Sequence, residues 1–291
     1  MKVIPMNKQI PALRLILTYK CNGKCAFCHR EGYDGKEDMS IDDIVECINI
    51  AKKLSVPIIA LTGGEPTLRD DLSGIISLIR HIYPESKVHL TSNGIHLSLL
   101  QDTIDKPIDK LNVSISSLNI DVAKEYQGVN PNIAIDSLLN FPALHKNLNF
   151  VVDENNFNEI RSIIDFCIKN NIALVLMFDL SDNKSLEYYK QTINIVKNFG
   201  KFSIEGTTPR TLVCNVNNKM TIKIKHPLLS RKTKWTICKR CSNSDRCGEG
   251  ICAVRVHPDG VVTPCLDKTV CAQGHTLSAK ISKIYDILTM S

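Results

Sequence analysis

From residue 12 to about residue 180, short apolar runs rich in Ile, Val and Leu alternate with longer amphipathic segments. A run of a few apolar residues between turn formers reads as a buried strand, and apolar positions recurring every three or four residues read as a helix with one buried face. Strands are expected at residues 13–18, 57–61, 87–90, 110–115, 147–152 and 173–178. Helices are expected at 40–54, with Ser40 as N-cap and Asp42 and Asp43 favourably placed in the first turn, and at 70–82 and 156–169. Such alternation predicts an α/β chain with βα units around a parallel sheet; periodicity alone fits either a partial barrel or an open doubly wound sheet. After about residue 183 the alternation decays. One more helix, 185–198, precedes polar, irregular sequence and a cysteine-rich stretch, so a boundary is expected near 205, between a barrel of residues 1–205 and a C-terminal region of residues 206–291.

The 291 residues are 43% hydrophobic, enough for one large core and a small appendage. No stretch approaches the roughly 18 consecutive apolar residues of a membrane span, and the N-terminal apolar run, interrupted by Arg14, has no cleavage-site pattern after it. These features predict a cytoplasmic protein without a membrane partner. A net charge of +6 suits an anionic small substrate and falls short of a dedicated nucleic-acid binder. The charge is uneven: residues 219–240 hold eight Lys or Arg and no Asp or Glu, a basic stretch that also reads as a solvated face.

Twelve cysteines in such a chain suggest metal binding rather than disulfides. Cys21, Cys25 and Cys28 follow the first expected strand, at the strand end where α/β proteins build sites. Three thiolates at this spacing can hold one corner of a cubane cluster, Gly23 easing the turn, and a missing fourth ligand leaves one iron open. A structural zinc site would normally close with four protein ligands; His29 is a fourth donor, badly placed beside Cys28. Cys238, Cys241, Cys247, Cys252, Cys265 and Cys271 form a late group, whose first four also suit a zinc knuckle. Cys47 and Cys167 fall within expected helices and read as small core residues.

Cys-x3-Cys-x2-Cys with Phe27 before the third cysteine, followed one strand later by Thr62-Gly63-Gly64-Glu65-Pro66, resembles the radical S-adenosylmethionine (SAM) superfamily. The resemblance implies a partial parallel (β/α)6 TIM-like barrel and a [4Fe-4S] cluster on Cys21, Cys25 and Cys28. The cluster would reduce SAM to a 5′-deoxyadenosyl radical that abstracts a substrate hydrogen. It implies that the glycine loop with Gly63, Gly64 and Glu65 receives the methionine amino group. Ser92, Asn93 and Ser114 would contact ribose and carboxylate, and Phe27 and Met177 would flank the adenine. An electron donor such as flavodoxin or ferredoxin is implied as a partner.

Residues 61–69, the Thr-Ser-Asn-Gly segment at 91–94 and residues 149–156 look like the GTP 3′,8-cyclase family of molybdenum cofactor synthesis. The segment from Cys252 to Cys265 resembles that family's second-cluster region and the opening of twitch and SPASM domains. This implies a small cysteine-rich auxiliary domain with a second [4Fe-4S] cluster on some of the late cysteines, and substrate contacts from Arg14 and Arg255. Departures from the cyclase pattern at Ala60, Asn147, Val254, Met290 and Ser291 imply a relative with another small, anionic or nucleotide-like substrate. About a dozen residues precede the first expected strand, which favours a small molecule over a peptide that needs a leader-recognition domain. Three rivals remain: a peptide-modifying twitch/SPASM enzyme, a cluster-carrier or electron-transfer protein, and a zinc or iron-sulfur module without SAM chemistry.

Overall fold

A computed structural model describes residues 12–28, 37–178, 184–205, 211–216, 220–225, 253–265 and 271–289. Six parallel strands, β1 (Leu13–Ile16), β2 (Ile58–Thr62), β3 (Lys87–Ser92), β4 (Ile108–Ser114), β5 (Ala143–Val152) and β6 (Ala173–Phe178), lie side by side in chain order. Crossovers between parallel strands are almost always right-handed, so an order that never reverses puts every connecting helix on one face. A doubly wound sheet reverses its order to cover both faces. This sheet therefore has a helix-covered face and a bare inner face, the arrangement of a (β/α) barrel wall. Its two ends are the edge strands β11 (Val262–Thr263) and β7 (Phe202–Glu205).

Helix α1 (Ile41–Lys53) shows why the covered face holds. Ser40 Oγ accepts the Asp43 N–H at 3.1 Å, Asp42 and Asp43 sit at the positive end of the helix dipole, and Lys52 and Lys53 sit at the negative end. Ile44, Cys47, Ile48 and Ala51, at helical spacing, are fully buried against the sheet. Helix α2 (Leu72–Ile82) buries Ile75, Ile76 and Ile79 in the same way. Between β3 and β4 stands the short α3 (Leu97–Gln101), and between β4 and β5 stand α4 (Ile120–Tyr126) and α5 (Pro131–Asn140). After β5 comes α6 (Ile160–Asn170), where Cys167 is buried and Asn171 ends the helix at φ 54°. Helix α7 (Ser185–Val196) follows β6.

Residues past 205 extend the same sheet at both ends. β8 (Thr211–Val216) and β9 (Met220–Ile224) form an antiparallel pair, with β9 parallel to β6 and β7 on the far side of β8. β10 (Val254–Val256) pairs in parallel with β1, and β11 folds back on β10. The last helix, α8 (Leu277–Thr289), buries Ile281, Ile284 and Tyr285, and its Ser278 N–H donates to Glu46 of α1 at 2.7 Å. No helix among the described residues is long and apolar enough to cross a membrane.

The inner face is unlike an ordinary barrel interior, where layers of Val, Ile and Leu fill the lumen. One cross-strand row reads Arg255, Arg14, Ala60, His89, Lys110, His145 from β10 to β5. Two residues further along, Thr91, Asn112 and Asn147 stand in register, and the Asn147 amide donates to Asn112 Oδ1 at 3.0 Å. Apolar packing lies between sheet and helices, and the lumen is polar.

Candidate functional site

The site begins where β1 ends. Leu17 and Thr18 lead into the loop that carries Cys21, Cys25 and Cys28. This loop is held from two sides. Lys24 N–H donates to the Gln127 carbonyl at 2.8 Å and Ala26 N–H to the Tyr126 carbonyl at 2.9 Å, so the C-terminal end of α4 carries its middle. Gly23, whose added Cβ would meet the Gln127 carbonyl at 3.3 Å, permits that approach.

On the other side is the loop after β2. Gly64 N–H donates to the Thr18 carbonyl and Glu65 N–H to the Lys20 carbonyl, both at 2.8 Å. The two loops touch so closely that a Cβ on Gly64 would stand 2.2 Å from the Lys20 carbonyl oxygen, and one on Gly63, at φ 144°, 2.5 Å from that of Thr18. Side chains at 63 and 64 are therefore sterically excluded by the cysteine loop itself.

Glu65 is 1% exposed and ties this loop to the end of β3. Its Oε1 accepts from Thr67 N–H (3.0 Å), Thr67 Oγ1 (2.6 Å) and Ser92 Oγ (2.8 Å), and its Oε2 from Asn93 N–H (2.6 Å). Burial pushes the carboxyl pKa up, and these four donors oppose that shift by stabilising the anion. The sequence sets Glu65 against an ammonium; in the fold its carboxylate already braces Thr67, Ser92 and Asn93, with Oε2 the less saturated oxygen. Asn93 completes the brace by donating to Asn22 Oδ1 of the cysteine loop at 2.6 Å.

Ser114 ends β4, and its carbonyl accepts from the Gln127 amide at 2.7 Å, while Gln127 Oε1 accepts from Ser116 N–H at 2.9 Å. Gln127, fully buried, thus fastens the end of β4 with its side chain and the cysteine loop with its backbone. Sequence reasoning missed it. Its only trace in the sequence is an amide side chain just before a glycine, Gly128, which in the fold takes φ 73° next to Lys24. Phe27 is half-buried on the cysteine loop, and Met177 is half-buried near the end of β6.

The donor set fits a multi-iron group. Burial raises the thiol pKa of Cys21 and pushes that of Cys25 up to about 12, and Cys28 adds to both by repulsion, so the thiols lie within electrostatic reach. A cationic cluster reverses the sign of those effects and favours the thiolates it needs. Among the described residues, no three His, Cys, Asp or Glu side chains close on a single ion. His29, Cys238, Cys241, Cys247 and Cys252 lie outside the described residues. Cys265 is half-buried just past β11 and Cys271 is exposed. Cys47 and Cys167 are buried core residues, as their helical positions predict, and Cys214 is buried too.

Arg14 and Arg255 come together: they are cross-strand partners on β1 and β10, and Arg255 is 1% exposed, the largest fully buried side chain among the described residues. His89 stands further along the same row. Burial, and after it the Lys110 charge, lowers its pKa from the ordinary 6.5 to about 4, with Lys87 and His145 adding and Asp109 opposing. Between these values protons favour the unfolded chain, so stability is full above about pH 6.5 and falls as pH drops toward 4. An NMR titration of the histidine ring protons should place His89 near 4, and His89→Gln should flatten the loss of urea resistance between pH 7.5 and 5. A titration near 6.5 would contradict this reading.

The family described as the radical SAM superfamily matches residues 15–167 of this chain. A protein of Methanococcus aeolicus named probable GTP 3′,8-cyclase is 26% identical over 268 residues, 89% of this chain and 86% of that relative. One of the same name from Sulfolobus acidocaldarius is 34% identical over 180 residues, 60% of this chain and 57% of that one. Among solved structures, Streptococcus suis SuiB bound to S-adenosylmethionine superposes with a TM-score of 0.67 at 15% identity, over 96% of this chain and 65% of SuiB's length. The anSMEcpe structure with AdoMet and a peptide superposes with a TM-score of 0.62 at 15% identity, over 94% of this chain and 80% of that chain. At these identities both establish likeness of fold.

Proposed function

The chain belongs to the radical SAM superfamily and is an enzyme of that kind; from that premise we propose that it binds SAM where the two loops interlock and acts on a small anionic or nucleotide-like substrate inside the barrel wall. The observation that carries the reading is the interlock: the glycine loop and the three-cysteine loop, more than thirty residues apart, close on each other at one end of the parallel sheet.

When bound to Cys21, Cys25 and Cys28, a [4Fe-4S] cluster supplies the electron that splits SAM to a 5′-deoxyadenosyl radical. The chain's task is then to bind, orient and exclude water. In this reading Gly63 and Gly64 bring backbone groups close to the methionine end, Glu65 offers Oε2 to its ammonium, and Ser92, Asn93 and Ser114 line the ribose and carboxylate. Phe27 and Met177 flank the adenine.

Arg14 and Arg255 project a paired cation into the lumen, suited to phosphate or carboxylate because guanidinium presents a rigid fork of donors. Ala60, between Arg14 and His89 in the row, leaves a gap where the cyclase pattern has an arginine. That difference supports a substrate other than the one named for the relatives. In this reading the late cysteines hold an auxiliary cluster, with Cys252 and Cys265 as its first ligands, and a flavodoxin or ferredoxin delivers the electron. Anaerobic reconstitution with iron and sulfide, followed by dithionite and SAM, should release methionine and 5′-deoxyadenosine. A reconstituted protein that holds iron and leaves SAM intact would sink the reading.

A further inference from the structure

The lumen carries more positive charge than the arginine pair accounts for. Lys110 stands on β4 between His89 and His145, all three on the inner side of their strands. Across β5 and β6, Lys223 of β9 stands opposite Val175, and Lys225 follows just past the strand, its N–H donating to the Leu176 carbonyl at 2.9 Å. Lys223 and Lys225 alternate with Ile222 and Ile224, which are fully buried on the helix side, so the two lysines share the inner side with Lys110. Lys110 feels the other two: burial lowers its pKa, and the Lys223 and Lys225 charges lower it further.

Among the described residues no carboxylate is paired with these lysines. None accepts a hydrogen bond or forms an ion pair with the ammonium groups of Lys110, Lys223 or Lys225. The nearest acid in sequence, Asp109, is out of phase on β4, and its carboxylate accepts from the Val88 N–H at 2.8 Å. Lys110 and Lys223 are half-buried and Lys225 is exposed; like charges on one side of a sheet repel each other unless an anion sits among them, and a concave face lined by one sign of charge concentrates anions.

We propose that Lys110, Lys223 and Lys225, flanked by His89 and His145, form a second anion subsite that takes a multiply charged phosphate group of the substrate. Ala60 separates it from the arginine pair, so a ligand reaching both spans the lumen with an anionic group at each end. The proposal rests on the reading of the lumen as the substrate chamber, and not on the fate of SAM.

Calorimetric titration of the reconstituted full chain at fixed ionic strength, with inorganic tripolyphosphate, phosphate and citrate as probes, tests it. Tripolyphosphate should bind one to one and more tightly than the other two. Lys110→Gln, and separately Lys223→Gln with Lys225→Gln, should each weaken it by about tenfold or more. Lys53→Gln with Lys190→Gln, on the exposed faces of α1 and α7, makes the same charge change and should leave it unaltered. The bound probe should also raise the NMR-observed pKa of His89. No saturable binding, equal weakening in the outer pair, or citrate binding as tightly as tripolyphosphate would overturn the subsite. Release of 5′-deoxyadenosine by the same preparation reports the radical reading separately: cleavage without lysine-dependent binding removes only the subsite, and lysine-dependent binding without cleavage removes only the radical reading.

Discussion

Replacing Cys21, Cys25 and Cys28 together by Ala should abolish formation of 5′-deoxyadenosine, a loss of at least about a thousandfold against the reconstituted wild type. The magnitude follows from role rather than from packing: without these three ligands no iron is held where the glycine loop would present SAM, so the electron has no acceptor in position. Little stability should be lost. Cys21 and Cys28 are exposed and Cys25 is half-buried, and the loop is held by backbone bonds to Gln127, Tyr126, Gly64 and Glu65 that alanine leaves in place. The same variant isolates the late cysteines. About four irons and matching sulfide per chain would identify an auxiliary cluster, whereas zinc without sulfide would make that region a structural knuckle. Undiminished SAM cleavage in the triple variant would end the assignment of the first cluster to this loop.

Gly64→Ala should cost about 3 kcal/mol or more of stability and remove detectable SAM binding. The new methyl would stand 2.2 Å from the Lys20 carbonyl oxygen, 2.7 Å from its carbon and 3.0 Å from Cys21 Cβ. Two of these three atoms are backbone, so no side chain can swing aside; the loops must part, taking with them the Gly64 and Glu65 hydrogen bonds to Thr18 and Lys20. Gly74→Ala on α2 is the matched control, because a Cβ there meets nothing within 4 Å and alanine favours the helix. Urea denaturation and equilibrium dialysis against labelled SAM check both. Wild-type stability in Gly64→Ala would mean that the loops do not interlock.

The barrel strands were legible because each is a short apolar run between turn formers, and α1 because Ser40, the acidic first turn and the apolar stripe agree on one answer. Helices α4 and α5 were missed although Asn119 caps one and Asn130 with Pro131 opens the other, as both are short and weakly amphipathic. Strands β8 and β9 escaped because their inner positions carry polar or charged residues such as Thr221 and Lys223, so their alternation read as irregular polar sequence. Strand β10 was not expected, although the resemblance singled out Arg255 on it, because three residues with an arginine at their centre give no apolar run. The cysteine and glycine motifs were fully legible. What holds them was not: the Glu65 brace and the Gln127 clamp join residues far apart in sequence, and no local pattern encodes such a contact.

The wall of the barrel is completed out of order. β1, from whose end the cysteine loop springs, has β2 on one side, and on the other only β10, with α8 laid over α1 behind them. At about 5–20 residues per second of synthesis, tens of seconds separate the emergence of β1 from that of β10. Throughout that interval a nascent chain shows the bare edge of a buried strand next to three free thiols, a template for mispairing and a target for oxidants. Arg255 reaches Arg14 only when the interval ends. The cysteine loop therefore stands beside an unpaired strand edge until β10 has been made, and iron and sulfide that arrive after that point meet a completed wall.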